Sequence, residues 1–157
     1  MATTDSRRTH GHAIGLVELA IVVCSAVFFA AVSISAYLGA SIGTLFWSLP
    51  CVVASEFSIR RTKFGYVLGV ASGAVGGLFT GGWSLGFVFD RHGMRVSATI
   101  MHVLTAVACM GLVFFSLVGY ARLPKKSWGD AALFIAAIIL VAAFLFVGTF
   151  GLGMGGI

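Results

Sequence analysis

Long apolar runs separated by short polar segments dominate the chain. Residues 1–12 are polar and carry Arg7 and Arg8. Residues 13–57 are mainly apolar, interrupted by Glu18, a Ser/Gly-rich stretch from Ser33 to Gly43, Pro50 and, at the end of the run, Glu56. A basic segment, Ser58 to Lys63, leads into a second apolar run, 64–88. The polar segment Asp90 to Arg95 precedes run 96–120. Ala121 to Asp130, holding Pro124, Lys125 and Lys126, precedes run 131–150, and a glycine-rich tail closes the chain at 151–157. A membrane's hydrocarbon core is about 30 Å thick, and a helix needs roughly 20 apolar residues to cross it. The pattern therefore predicts spans at 64–88, 96–120 and 131–150. As one helix, residues 13–57 would be about 67 Å long. They predict either two spans joined by a tight turn near Gly39-Ala40-Ser41, or one long span running on into an interfacial segment. The expected fold is a single all-α domain, a polytopic transmembrane bundle of four or five spans.

Composition sharpens the class. Of 157 residues, 59% are hydrophobic and only 10% charged, and the mean hydropathy is +1.06. A soluble domain of this size has too little interior to hide that much apolar surface. The first apolar run far exceeds the 7–15 residues of a signal-peptide core, so it reads as an uncleaved first span. The location expected is an integral membrane one, and a mitochondrial inner membrane or a plasma membrane both fit.

Ten Lys/Arg stand against five Asp/Glu. The cations are split into short groups between apolar runs rather than clustered with aromatics, which excludes a nucleic-acid partner. Membrane lipids, other membrane subunits or a second copy are the expected partners. Charge also bears on orientation. With five spans, Arg7, Arg8, Arg60, Arg61, Lys63, Arg122, Lys125 and Lys126 share one side, against Arg91 and Arg95 on the other. With four spans, Arg7, Arg8, Arg91 and Arg95 oppose the remaining six.

Gly65, Gly69, Gly73, Gly77 and Gly81 recur at every fourth position. That spacing puts them on one helix face, where small residues let helices approach closely in lipid. Such a face predicts tight packing, either against a neighbouring span or against another subunit or a sliding surface.

Gly86-Phe-Val-Phe-Asp90-Arg91-His92-Gly93-Met94-Arg95 resembles the loop signature of the major facilitator superfamily, G-x-x-x-D-R/K-x-G-x-R. There it joins the second and third helices of the first half. Leu49-Pro50 and the segment from Ala54 to Gly65 are similar to that family's first helix end, outer loop and second helix start. Phe146 to Gly156 is similar to its glycine-rich fourth helix. The resemblance implies a carrier that works by rocking helices around a site, and it implies that Asp90 to Arg95 lie in the cytoplasm. Physically, Asp90 suits a helix N-terminus, Gly93 suits a tight turn, and Arg91 and Arg95 can pair with Asp90 or lipid phosphate. Together with Gly86 they form a candidate conformational latch. An ordinary turn with snorkelling arginines is the other reading.

Two lone polar residues in the spans are candidates. Glu18 is either paired near the interface, with Arg7, Arg8, His10 and His12 in reach, or a proton- or ion-coupled site. His102 either hydrogen-bonds a neighbouring helix or serves as a relay or ligand. Glu56, at a span end, is expected to pair with Arg60. Cys24, Cys51 and Cys109 lie in apolar runs without metal or redox spacing and read as small hydrophobic residues. No nucleophile–base set, cysteine pair, phosphate loop or carboxylate pair appears, so neither catalysis, cofactor nor metal is expected. Two functions remain open: a facilitator-like transport module acting within a larger assembly, and a non-catalytic accessory subunit of a large membrane complex such as a respiratory-chain complex.

Overall fold

The computed structural model describes residues 15–37, 42–89, 96–123 and 128–151. These are helical almost throughout, with no strand among the described residues. Helix α1 spans Leu16–Tyr37. A 3-10 segment, Ile42–Ser48, runs straight into α2, Leu49–Ile59. Then come α3, Lys63–Phe89, α4, Val96–Ala121, and α5, Trp128–Phe146. A π-helical turn, Val147–Gly151, ends the described chain.

Local chemistry accounts for the boundaries. The Leu19 N–H bonds the Gly15 carbonyl at 2.9 Å, which opens α1 and places Glu18 in its first turn, where a carboxylate suits the positive end of the helix. Pro50 sits in the first turn of α2, the place where its missing N–H costs nothing. The Ser48 hydroxyl donates to the Leu45 carbonyl at 2.7 Å and tightens the 3-10 turn before it. Asp130, read from the sequence as loop, lies inside the first turn of α5.

The run 13–57 therefore doubles back. The turn expected near Gly39-Ala40-Ser41 lies outside the described residues, but the contacts on both sides fix the direction. Glu18 at the start of α1 touches Arg61, just beyond α2, and Tyr66 near the start of α3. At the opposite end, Trp47 in the 3-10 segment stacks edge-on against Phe79 of α3, with ring centroids 4.7 Å apart. The 3-10 segment also touches the final π turn. The described residues thus run up and down the bundle in five alternating segments. The starts of α1, α3 and α5 and the ends of α2 and α4 share one end, termed here the basic end.

The core is built around α3, which packs on α4, α2 and α5, while α1 packs on α4 and α2. One cluster joins Ile21 and Phe28 of α1, Cys51 of α2, Tyr66 of α3, and Cys109 and Leu112 of α4. A second joins Ala54, Val67, Leu68, Ala71, Ala137 and Val141 across α2, α3 and α5. Many buried residues are small, and large apolar ones face outward: Val107, Met110 and Phe114 on α4 and Ile135 and Ile139 on α5 are each more than half exposed. No aqueous surface tolerates so much exposed apolar area, and lipid does. Three helices, over Leu16–Ile34, Ile100–Ala121 and Gly129–Phe150, are long and apolar enough to cross a membrane. The fold is an all-α membrane-helix bundle.

Candidate functional site: two carboxylate clusters at the basic end

The glycine face of α3 positions the site. Gly65 lies against the backbone of Phe57 and Ser58 in α2, and Gly69 against Ser116 of α4. At Gly73, an added Cβ would come 2.7 Å from both the Cys109 carbonyl oxygen and a Val113 methyl. Gly77 faces Cys109 at ordinary contact distance. The face is therefore occupied from within, by α2 at its start and α4 beyond. Gly81 and Gly86 lie further along the α3 backbone.

Close approach brings polar groups together at the basic end. Glu18, 6% exposed, accepts a 2.8 Å hydrogen bond from the Tyr66 hydroxyl and has Arg61 Nε 3.6 Å away. The Tyr66 ring lies against Gly119 of α4, where any side chain would overlap it. Asp130, 8% exposed, takes bonds from Lys63 Nζ at 3.1 and 3.3 Å and from the Tyr120 hydroxyl at 2.7 Å. Each carboxylate is thus met by one tyrosine and one cation from other helices. The clusters adjoin, since Lys63 and Tyr66 are one turn apart on α3 and Gly119 and Tyr120 are neighbours on α4. Between them they tie α1, α3, α4, α5 and the α2–α3 turn together.

The α2–α3 turn is shaped for this. The Thr62 N–H bonds the Phe57 carbonyl at 3.1 Å and the Arg61 N–H bonds the Ser58 carbonyl at 2.8 Å, a Schellman closure that usually places glycine where Arg61 stands. Arg61 has φ 53°, which costs a side-chain-bearing residue about 1–2 kcal/mol. The Thr62 hydroxyl donates to the Phe57 carbonyl and accepts from the Gly65 N–H, so one side chain closes α2 and caps α3. Glu56 and Arg60 form an exposed ion pair one turn apart, 2.7 Å between charged atoms, which stabilises α2 by only about 0.2–0.5 kcal/mol.

Of the sequence candidates, Glu18 is in the site, but its described partners are Tyr66 and Arg61. Arg7, Arg8, His10 and His12 lie outside the described residues. Asp90, Arg91, Gly93 and Arg95 also lie outside them. His102 is half-buried on α4, away from the clusters. Sequence reasoning missed Tyr66, Lys63, Tyr120 and Asp130. Their one local signal was their position at helix ends, where Tyr, Lys and Asp are ordinary. Among the described residues, no three His, Cys, Asp or Glu side chains gather as metal ligands. The three cysteines are free thiols, two of them buried. Chemically, the clusters are closed: each carboxylate is neutralised and hydrogen-bonded by the bundle itself.

Comparison with protein families, with curated proteins and with solved structures finds no match.

Proposed function

We propose that the chain is a non-catalytic membrane subunit, a five-pass bundle that packs into a larger membrane assembly. The observation that carries this reading is how the carboxylates are used. Glu18 and Asp130 are spent on bonds between helices at one end of the bundle. A carrier instead needs polar groups near mid-membrane that are open to a solute. The glycine face of α3, which a moving carrier would use for sliding, is filled by α2 and α4. Under the positive-inside rule, the end bearing Arg60, Arg61, Lys63 and Arg122 faces the cytoplasm or the mitochondrial matrix.

A second reading, the transport module, rests on the connection between α3 and α4. There Gly86 lies in the α3 backbone and α4 starts at Val96, and the facilitator-like pattern between them, with Asp90 to Arg95 outside the described residues, is what supports this reading. In this reading α2 to α5 correspond to the family's first four helices and α1 is additional. The extra pass puts the loop opposite the basic end.

Native assembly size separates the two. Extracted in mild detergent, an accessory subunit migrates in a complex of fixed stoichiometry and passes no solute when reconstituted alone. Solute flux by the purified chain in liposomes, or migration as a lone monomer, would overturn the subunit reading.

A further inference from the structure

Two arginines at the basic end have guanidinium groups that the bundle does not use up. Arg61 is 61% exposed at its side chain and meets Glu18 through Nε at 3.6 Å. Its terminal amino groups have no acceptor among the described residues. Arg122 is exposed and follows Gly119 by one turn, its N–H bonded to the Gly119 carbonyl. Gly119 packs on the Tyr66 ring, and the charges of both arginines bear on Glu18. No side-chain acceptor for Arg122 is present among the described residues. Glu18 is a single carboxylate, already bonded by Tyr66. Two guanidiniums around one carboxylate leave one positive charge over, with donors turned outward.

The surroundings select the ligand. Leu16 and Leu19 on the first turns of α1 are 81% and 51% exposed, and Phe57 and Ile59 at the end of α2 also face outward. Cationic forks therefore stand at the end of an apolar wall. An anionic amphiphile matches both parts. A guanidinium binds a phosphate through paired N–H donors, and acyl chains cover the leucines. Arg61 keeps its unfavourable φ of 53° at a turn where glycine is the usual residue, which keeps the cation beside Glu18.

We propose that Arg61 and Arg122 hold the phosphate of an anionic phospholipid against the Glu18–Tyr66 cluster. This requires the bundle to lie in a membrane, but it does not depend on membership of a larger assembly.

Native mass spectrometry and thermal unfolding of the full chain in mild detergent test it, with phosphatidylglycerol, phosphatidylcholine or inorganic phosphate added. The wild-type chain should retain phosphatidylglycerol about tenfold more strongly than phosphatidylcholine, from the attraction of two interfacial cations. The double variant Arg61→Gly, Arg122→Gln should lose that preference. Glycine adopts φ 53° freely, so the turn survives and a folded protein is measured. Arg60→Gln, which removes a cation already paired with Glu56, should keep the preference. Equal retention of both lipids by the wild type, or an undiminished preference in the double variant, would overturn the proposal. So would equal stabilisation by inorganic phosphate, which would mark a soluble-anion site.

Discussion

The Tyr66 hydroxyl donates to the Glu18 carboxylate at 2.8 Å, across 48 positions of sequence, and both residues are buried. One bond thereby joins the first turn of α1 to the first turn of α3. A buried carboxylate without partners is costly, so the pair holds the basic end closed.

Tyr66→Phe keeps the ring against Gly119 and removes only the donor. The expected loss is about 1–2 kcal/mol, typical of a hydrogen bond to a charged group partly offset in a membrane. Thermal unfolding in detergent measures it. In a double-mutant cycle with Glu18→Met, which has no comparable acceptor, the two losses should be strongly non-additive. Additive losses would mean that the bond contributes nothing.

Lys63 and Asp130 form the second tie, 3.1 Å apart, with the lysine side chain about one-third exposed. Solvent reaches the pair, so Lys63→Met should cost only about 1 kcal/mol, and less at high salt. Asp130→Ala should cost more than Lys63→Met, because it removes an acceptor shared by Lys63 and the Tyr120 hydroxyl. Chemical denaturation at two ionic strengths checks both the order and the salt effect.

Ser116 and Ser58 are fully buried, and neither hydroxyl has a hydrogen-bond partner among the described residues. An unsatisfied buried hydroxyl costs about 1–3 kcal/mol. Ser116→Ala removes that cost while keeping the close contact with Gly69. Stability should be unchanged or higher by up to about 1 kcal/mol. A clear loss on unfolding would reveal a bonded hydroxyl.

Gly73→Leu should be clearly damaging, because its Cβ alone would press on the Cys109 carbonyl and Val113. Overpacking of this kind costs about 1–3 kcal/mol. Ala74→Leu, one position on and exposed, should stay within about 0.5 kcal/mol of wild type. Unfolding midpoints of the two variants decide the matter.

If each of the five alternating segments crosses the membrane, residues 4 and 155 are expected on opposite sides. Thr4→Cys and Gly155→Cys, each made in a background lacking the native cysteines, should label from opposite faces of sealed vesicles. Labelling of both from one face would mean that the 42–59 pass does not cross.

What could be read from the chain alone was local. Apolar runs of membrane-spanning length gave the helices, since burial of a continuous apolar surface in lipid depends only on neighbours in sequence. The runs 64–88 and 96–120 became helices over Lys63–Phe89 and Val96–Ala121. The four-residue glycine spacing likewise announced a close helix contact, because face periodicity is a property of one helix.

The tertiary structure decided what each face and each charge meets. Whether the glycines pack within the chain or on another subunit depends on which helix lies alongside, and in this bundle α2 and α4 occupy them. Glu18 carried no local sign that Tyr66 would be its partner, and Asp130 looked like one more loop charge. Both pairings join residues from different helices, and they exist because residues 13–57 double back and bring the starts of α1, α3 and α5 to one end. Hydropathy does not settle that reversal, since two passes and one span running on into an interfacial segment both set apolar residues against lipid. Only the packing of one helix against another distinguishes them.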